Sequence, residues 1–211
     1  FRSVEIMDVK KKIFKTVHEN APAHCIIASN TSSMSVTEMA AASGRPDKVC
    51  GVHFFNPAPM MKLIEVIKAD QSSDETLKIA TAWSKSLPCL RGRRYVPLCL
   101  KDRPGFIANR INAPVSIYIG WVIDQAKKQG IPYEQLSADV HNPMAPMGPL
   151  VLMDYVGLDT AMHTMNYYAK TLHPDFAPSD TLKELNEAKT LGVKTGKGLY
   201  EWKGGKRPIL N

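Results

Sequence analysis

Residues 49–67 have the sequence VCGVHFFNPAPMMKLIEVI. Two apolar runs, 49–55 and 62–67, lie on either side of Asn56-Pro57-Ala58-Pro59, whose prolines cannot donate to a regular ladder. Each run has the length and residue types of a buried strand. The stretch therefore predicts two strands with a bend near Pro59 between them.

These two strands place a histidine opposite a carboxylate. If they run antiparallel, His53 and Glu65 lie equally far from the bend and become cross-strand neighbours, with Cβ atoms about 5 Å apart. A carboxylate orients the ring and makes it a stronger base, which suits proton abstraction near neutral pH. Glu65 interrupts an apolar run, where an unpaired carboxylate is costly, and Asn56 adds a polar group at the same crevice. The structural alternative is that His53 ends a strand and Glu65 is a solvated charge.

Helices alternate with strands through the first half of the chain. Apolar spacing and caps predict helices over 5–20 and 36–42, a helix capped by Ser73, and strands over 25–28 and 96–100. This alternation predicts an open α/β sheet, in which ligands bind beyond the carboxyl ends of the strands. The predicted ligand site therefore lies at residues 29–33 and 53–59.

Two further polar features lie near that edge. The loop Asn30-Thr31-Ser32-Ser33 carries hydroxyl and amide groups that could bind a carbonyl or a cofactor amide, although it could instead cap the helix at Val36. Asn109 lies in the first turns of the next helix and would point back to the crevice, unless it is an ordinary surface asparagine.

From Pro104 the pattern is helical only, which predicts an α/β part followed by an all-α part. Helices are predicted over 105–128, 133–140, 148–171 and 179–191, before a glycine-rich closing segment at 195–200. The charged, proline-containing stretch 101–104 marks the boundary, so the predicted domains are 1–101 and 102–211.

Composition narrows the class of protein. The chain has 211 residues, a net charge of +7 and 44% hydrophobic residues, enough for one large domain or two small ones. Since no apolar run reaches the roughly 18 residues of a membrane helix, no membrane span is predicted. The four cysteines are widely spaced, which favours a reducing compartment and no structural zinc. The dispersed basic residues favour a phosphorylated small molecule over a nucleic acid.

Three motifs, in this order and spacing, resemble the L-3-hydroxyacyl-CoA dehydrogenase family: 29–33, 53–66 and 102–110. The resemblance continues in the helical half at 146–149, 154–159 and 194–198. It implies a Rossmann-like NAD-binding sheet followed by a helical dimerisation domain similar to the C-terminal domain of 6-phosphogluconate dehydrogenase. Members are expected to form homodimers through the helical half.

The resemblance also implies an activity and roles for individual residues. The family oxidises L-3-hydroxyacyl-CoA to 3-oxoacyl-CoA in fatty-acid β-oxidation and passes hydride to NAD. By motif, His53 would be the base and Glu65 its orienting partner, while Ser32 and Asn109 would bind the substrate's oxygens.

Several positions match cofactor contacts of the family. Glu5 and Lys10 match contacts on the ribose side, and Lys194 matches a contact from the closing segment. Ser32 is also expected to bind the cofactor, and Asn56 would lie near the nicotinamide and the thioester. A related dehydrogenase acting on a sugar acid or β-hydroxy acid is disfavoured by the closeness of the match over 53–65.

The sequence departs from the family pattern at its start. A strand, a G-x-G-x-x-G turn and an acidic residue about 20 positions later are expected there, and this sequence has none of them. We expect a fragment of a longer chain, inactive by itself, since the exposed edge of a parallel sheet with half its strands missing would be costly.

Residues 202–211 resemble tails that lead into an enoyl-CoA hydratase domain. Alternatively, the chain is a noncatalytic helical dimerisation module with an incomplete cofactor site. The compartment would be the cytoplasm, the mitochondrial matrix or a peroxisome.

Overall fold

The computed structural model describes residues 6–140 and 147–204. The predicted cofactor residue Glu5 and most of the tail that resembles a domain linker lie outside the described residues. The chain forms two compact units, the first ending at Ile111 and the second beginning at Asn112. The predicted domain limits, 1–101 and 102–211, stay a prediction.

The first unit contains one four-stranded sheet in the order β1-β2-β3-β4. The strands are β1 (Ile27–Ser29), β2 (Val49–Phe54), β3 (Ile64–Lys68) and β4 (Leu98–Cys99). The strands β1 and β2 are parallel, β2 and β3 are antiparallel, and β3 and β4 are parallel. The predicted antiparallel pair is confirmed. The first predicted strand begins two residues later and ends one residue later than expected, and the last is shorter than expected.

Helices cover both faces of the sheet, which is why β2 and β3 are buried almost throughout. The helices are α1 (Met7–Asn20), α2 (Val36–Ala41) and α3 (Asp74–Ser86). Side chains of α1 and α2 form one apolar cluster with Val49 and Ile67, and those of α3 form another with Val52 and Val66. Successive side chains of a strand point to opposite faces, so β2 and β3 each contribute to both clusters.

A glycine lets α2 lie close to the sheet. A Cβ atom on Gly51 would lie 2.9 Å from Ile67, a distance that real Cβ atoms almost never show, and 3.1 Å from Val36, which is tighter than most real Cβ contacts. Gly51 therefore fixes how near the helix and the neighbouring strand can approach β2.

The second unit is helical. Helix α4 (Ala108–Gln129) leads into it, followed by α5 (Tyr133–Asp139), α6 (Pro149–Val156), α7 (Leu158–Thr171) and α8 (Asp180–Glu187). Its core includes Ile123, Leu150, Leu158 and Trp202. Within the described ranges, no helix has both the length and the apolar character needed to cross a membrane.

Three predicted helices differ from the structure. The helix predicted over 148–171 is two helices, because Gly157 has φ +106° and breaks the hydrogen-bond ladder. The helix predicted from Gly105 begins at Ala108, since Phe106 has φ +52° in the preceding turn. The last helix ends at Glu187, shortly before Lys189 at φ +58°.

A buried carboxylate holds the closing segment in the second unit. Asp154 of α6 accepts hydrogen bonds from the backbone N–H groups of Leu199 (2.9 Å) and Tyr200 (3.0 Å) and from Nε1 of Trp202 (2.7 Å). Asp154 is fully buried, so these three donors replace the water that its charge would otherwise require. The predicted closing segment is thus tied to α6.

Candidate active site

His53 and Glu65 lie directly opposite each other in the β2/β3 ladder. Nδ1 of His53 is 2.8 Å from Oε2 of Glu65, and both side chains are buried. The equal spacing around the bend thus produces the contact that the sequence predicts. The alternative of a solvated Glu65 is wrong, because this residue has no exposed surface.

The second oxygen of Glu65 is held by the start of α4. Oε1 accepts hydrogen bonds from the backbone N–H groups of Ala108 (2.8 Å) and Ile107 (3.2 Å). A helix N-terminus has unpaired N–H groups and a partial positive charge, so it stabilises a carboxylate. These donors were not predicted, and the only signal for them is the turn-forming pair Pro104-Gly105 before the helix.

The contact with Glu65 assigns the tautomer of His53. An ionised carboxylate can only accept a hydrogen bond, so Nδ1 carries the proton and donates it to the bond, which leaves the lone pair of the neutral ring on Nε2. No group in the described part of the chain hydrogen-bonds to Nε2. The ring packs against Phe55 at 4.5 Å and against Phe106 at 5.6 Å between centroids. A buried, oriented imidazole with one available nitrogen can act as a general base.

The loop after β1 is fixed beside the end of β2. Oδ1 of Asn30 accepts a hydrogen bond from the backbone N–H of Phe54 (2.9 Å), and Oγ1 of Thr31 accepts one from that of Met34 (3.1 Å). The helix α2 is capped by Ser35, whose Oγ accepts from the N–H of Glu38. The capping alternative therefore does not account for the earlier residues of this loop.

Ser32 and Asn109 are brought together in the first unit. Nδ2 of Asn109 donates to the backbone carbonyl of Ser32 at 3.5 Å, and both residues are partly buried. Another link joins the same two regions, because Asp102 accepts hydrogen bonds from Oγ of Ser35 and the N–H of Thr37, each at 2.7 Å. Asp102 is the first residue of the motif 102–110, but the sequence does not predict its contact with α2.

Three of the predicted cofactor residues lie on separate elements of the fold. Asn56 is exposed just after β2 and precedes a cis bond to Pro57. Lys10 is buried on α1 and lines a cavity of about 240 Å³ between that helix and β1. Lys194 lies in the second unit, where its ammonium pairs with Asp159.

The buried thiols of the sheet are not nucleophiles. Burial raises the pKa of Cys50 to about 12. Burial is also the largest cause that raises the pKa of Cys99 above its ordinary value. Both remain protonated at neutral pH, so the imidazole of His53 is the better candidate for chemistry at this edge of the sheet.

Known protein families match both halves of the chain. Residues 3–91 match the family described as 3-hydroxyacyl-CoA dehydrogenase, NAD binding domain, and residues 105–202 match its C-terminal domain. The chain is 39% identical to the 3-hydroxybutyryl-CoA dehydrogenase of Clostridioides difficile, over 95% of this chain and 69% of that protein. It is 38% identical to the mitochondrial hydroxyacyl-coenzyme A dehydrogenase of Sus scrofa, over 95% of this chain and 62% of that protein.

A solved structure shows the same fold. The crystal structure of (S)-3-hydroxybutyryl-CoA dehydrogenase from Ralstonia eutropha superposes with a TM-score of 0.79 at 36% identity, covering 95% of this chain and 69% of that one. The chain thus spans between three fifths and seven tenths of the length of these relatives. The predicted fold class and the prediction of NAD as cofactor are confirmed. The chain belongs to the 3-hydroxyacyl-CoA dehydrogenase family of NAD-dependent oxidoreductases.

Proposed function

We propose that this protein oxidises the 3-hydroxyl group of an L-3-hydroxyacyl-CoA to a ketone in fatty-acid β-oxidation. The observation that carries the proposal is the buried contact of His53 with Glu65, which leaves Nε2 of the ring available. Nε2 removes the hydroxyl proton, and the carboxylate of Glu65 stabilises the imidazolium that results. The dehydrogenase family supplies the reaction class.

NAD, when bound, supplies the hydride acceptor. The polar groups at the carboxyl ends of β1 and β2 fit its nicotinamide end, because the hydroxyl of Ser32 and the exposed amide of Asn56 can bond to a carboxamide. The glycine-rich turn that binds a pyrophosphate is absent from this sequence, so these residues account for the nicotinamide end only. Glu5, Lys10 and Lys194 remain proposed contacts.

The same loops can hold the substrate's oxygens. Ser32 and Asn109 come from different segments and meet beside the strand that carries His53. A hydroxyl and an amide there would orient the 3-oxygen toward Nε2, while Phe55 and Phe106 keep water from the ring.

Replacement of the base tests this proposal. His53→Gln is made in the protein as the cell expresses it. It should lower the turnover of 3-hydroxybutyryl-CoA by about 10² to 10⁴, because the base that removes the hydroxyl proton is lost. The control is His24→Gln, an exposed histidine with no hydrogen-bond partner among the described residues, which should leave turnover unchanged. Unchanged turnover in the His53 variant would refute the assignment.

The second candidate function is a noncatalytic dimerisation module. Val115, Tyr118 and Trp121 of α4 are each more than half exposed, although large apolar side chains gain free energy by burial. We infer that this row contacts a second copy of the chain. Titration of NAD into residues 1–211 separates the two functions, since tight binding would show that a cofactor site is present and would exclude a purely structural module.

A further inference from the structure

Asp102 is a buried carboxylate in the segment that joins β4 to α4, and the proposed chemistry of His53 does not involve it. The residue is only 8% exposed. Its Oδ2 accepts hydrogen bonds from Oγ of Ser35 and from the backbone N–H of Thr37, each at 2.7 Å. Its Oδ1 is buried and has no hydrogen-bond partner among the described residues. A single oxygen atom of Asp102 therefore makes both bonds to the start of α2.

This bridge joins the two segments that carry the proposed contacts to the substrate's oxygens. Ser32 belongs to the loop after β1, which ends at Ser35, the N-cap of α2. Asn109 lies in the first turn of α4, which follows the segment that contains Asp102. Because Asp102 ties the end of the loop to the segment before α4, it limits how far Ser32 and Asn109 can separate.

The direct contact between Ser32 and Asn109 is too weak to set their spacing. Nδ2 of Asn109 lies 3.5 Å from the carbonyl oxygen of Ser32, at the long limit of a hydrogen bond. The bonds to the carboxylate of Asp102 are 2.7 Å long, and charge-assisted bonds of this kind are about twice as strong as neutral ones. Asp102 is thus the stronger of the two links between the loop and the α4 segment.

The segment after Asp102 is itself fixed relative to the candidate base. The backbone N–H groups of Ile107 and Ala108 donate to Glu65, whose other oxygen bonds to His53. Asp102 forms no hydrogen bond or ion pair with either of these two side chains in the part of the chain that the structure describes. Its bridge therefore places the loop relative to His53 without acting on the ring directly.

We propose that Asp102 is a positioning residue, which sets the spacing of Ser32 and Asn109 and thereby aims the substrate's 3-oxygen at Nε2 of His53. This rests on the proposed function, which assigns the contacts with the substrate's oxygens to Ser32 and Asn109. Reacting groups that are misplaced by about 1 Å can react about 10² times more slowly. Asp102 acts through these two residues and makes no contact with the substrate itself.

Two substitutions separate the bridge from the charge of Asp102. In the protein as the cell expresses it, Asp102→Ala removes the bridging oxygen and should lower kcat/KM for 3-hydroxybutyryl-CoA by about 10- to 100-fold. Asp102→Asn keeps an oxygen for Ser35 and Thr37 and puts its NH₂ group in the place of the unpartnered Oδ1. Its kcat/KM should stay within about threefold of the parent value. Equal losses in the two variants would overturn the proposal.

Thr37→Val is the matched control on the same helix. It removes the Oγ1 atom that accepts from the backbone N–H of Asp70 (3.2 Å), and it keeps the N–H that donates to Asp102. Both Asp102→Ala and Thr37→Val remove hydrogen bonds of α2, but only the first opens the bridge. With rates normalised to the folded fraction measured by circular dichroism, the control should keep the parent kcat/KM. An equal loss in the control would show that Asp102 matters only for the stability of α2.

A double-mutant cycle with Asn109 distinguishes positioning from a loss of folded protein. In the Asn109→Ala background, Asp102→Ala should lower kcat/KM by less than about threefold, because the group that it places is already gone. A loss by the same factor in both backgrounds would refute the positioning role. If Asp102→Ala does not fold, Ser35→Gly takes its place in the cycle, since it removes one of the two bonds and glycine is tolerated at an N-cap.

Amide hydrogen exchange needs no turnover, so it separates this proposal from the proposed function. The N–H groups of Met34 and Thr37, which donate to Thr31 and Asp102, should exchange about tenfold faster in Asp102→Ala than in Thr37→Val. Unchanged exchange, with oxidation that depends on His53, would refute the positioning role and keep the function. Faster exchange in a protein that does not oxidise 3-hydroxybutyryl-CoA would refute the function and keep Asp102 as the residue that fixes the loop.

Discussion

Glu65 bonds to His53 through one carboxylate oxygen at 2.8 Å and to the first turn of α4 through the other. One buried side chain therefore links the candidate base, the strand β3 and the helix that leads into the second unit. The burial of Glu65 is compatible with its charge because three donors replace water. Its replacement should affect both chemistry and folding.

We expect Glu65→Gln to separate these two effects. A glutamine oxygen can still accept hydrogen bonds from the start of α4, but its NH₂ group is a donor and cannot accept the hydrogen bond from Nδ1–H of His53, so the ring loses its orientation. Turnover should fall by about 10 to 10³ with little change in KM. Glu65→Ala should add a loss of stability of about 1–3 kcal/mol, because the backbone donors of α4 become unsatisfied. Steady-state kinetics check the loss of turnover, and urea unfolding checks the loss of stability. Full turnover in the Glu65→Gln variant would contradict the role of Glu65 in orienting His53.

Gly51→Ala should destabilise the first unit without replacing any residue of the candidate active site. The new Cβ would lie 2.9 Å from Ile67 of β3 and 3.1 Å from Val36 of α2, so Ile67 must shift and α2 must give by a few tenths of an ångström. Overpacking of this kind costs about 1–3 kcal/mol. The urea midpoint should fall accordingly, and an unchanged midpoint would show that the helix can shift without cost.

Replacement of the buried carboxylate of Asp154 should loosen the closing segment of the second unit. An asparagine there can accept with one atom only, while three donors from the closing segment converge on the site. We expect Asp154→Asn to cost about 1–3 kcal/mol. Hydrogen exchange of the Leu199 and Tyr200 amides should speed up, and retained protection of these amides would contradict the anchoring role.

The sequence predicted the pairing of His53 with Glu65 because strand side chains alternate strictly and the prolines locate the bend. It did not predict what holds the other oxygen of Glu65, since backbone N–H groups leave no side-chain pattern. The break at Gly157 was also missed. Apolar periodicity continues across that position, and a glycine inside a helical pattern is often tolerated.

Charge placed on the exposed row of α4 should prevent self-association. The rings of Tyr118 and Trp121 stack with their centres 6.2 Å apart, and each residue is 58% exposed. Tyr118→Asp with Trp121→Asp would replace this apolar pair with two carboxylates. If the row contacts a second copy, sedimentation should show a dimer for the parent protein and a monomer for the variant. A monomeric parent at micromolar concentration would contradict the proposed homodimer.

Asp124 should make the second unit acid-sensitive. Its carboxylate accepts from the backbone N–H groups of Asp180 (3.1 Å) and Thr181 (2.9 Å) in the first turn of α8. Burial works to raise the pKa of Asp124, but the hydrogen bonds from Thr181, Asp180 and Ser179 outweigh it and hold the pKa below its ordinary value of 3.8. A pKa lowered by folding stabilises the folded state above the unfolded value, and this contribution is lost as the pH falls through the folded pKa.

Asp124→Asn should therefore lower the melting temperature near pH 7 through the loss of a charged cap, worth about 1 kcal/mol. The difference between the variant and the parent protein should shrink as the pH falls below 3.8, where the parent carboxylate also becomes protonated. Asp70→Asn is the control, because the exposed Asp70 side chain has no hydrogen bond within the described ranges. A difference that stays constant from pH 7 to below 3.8 would show that Asp124 acts by shape and not by charge.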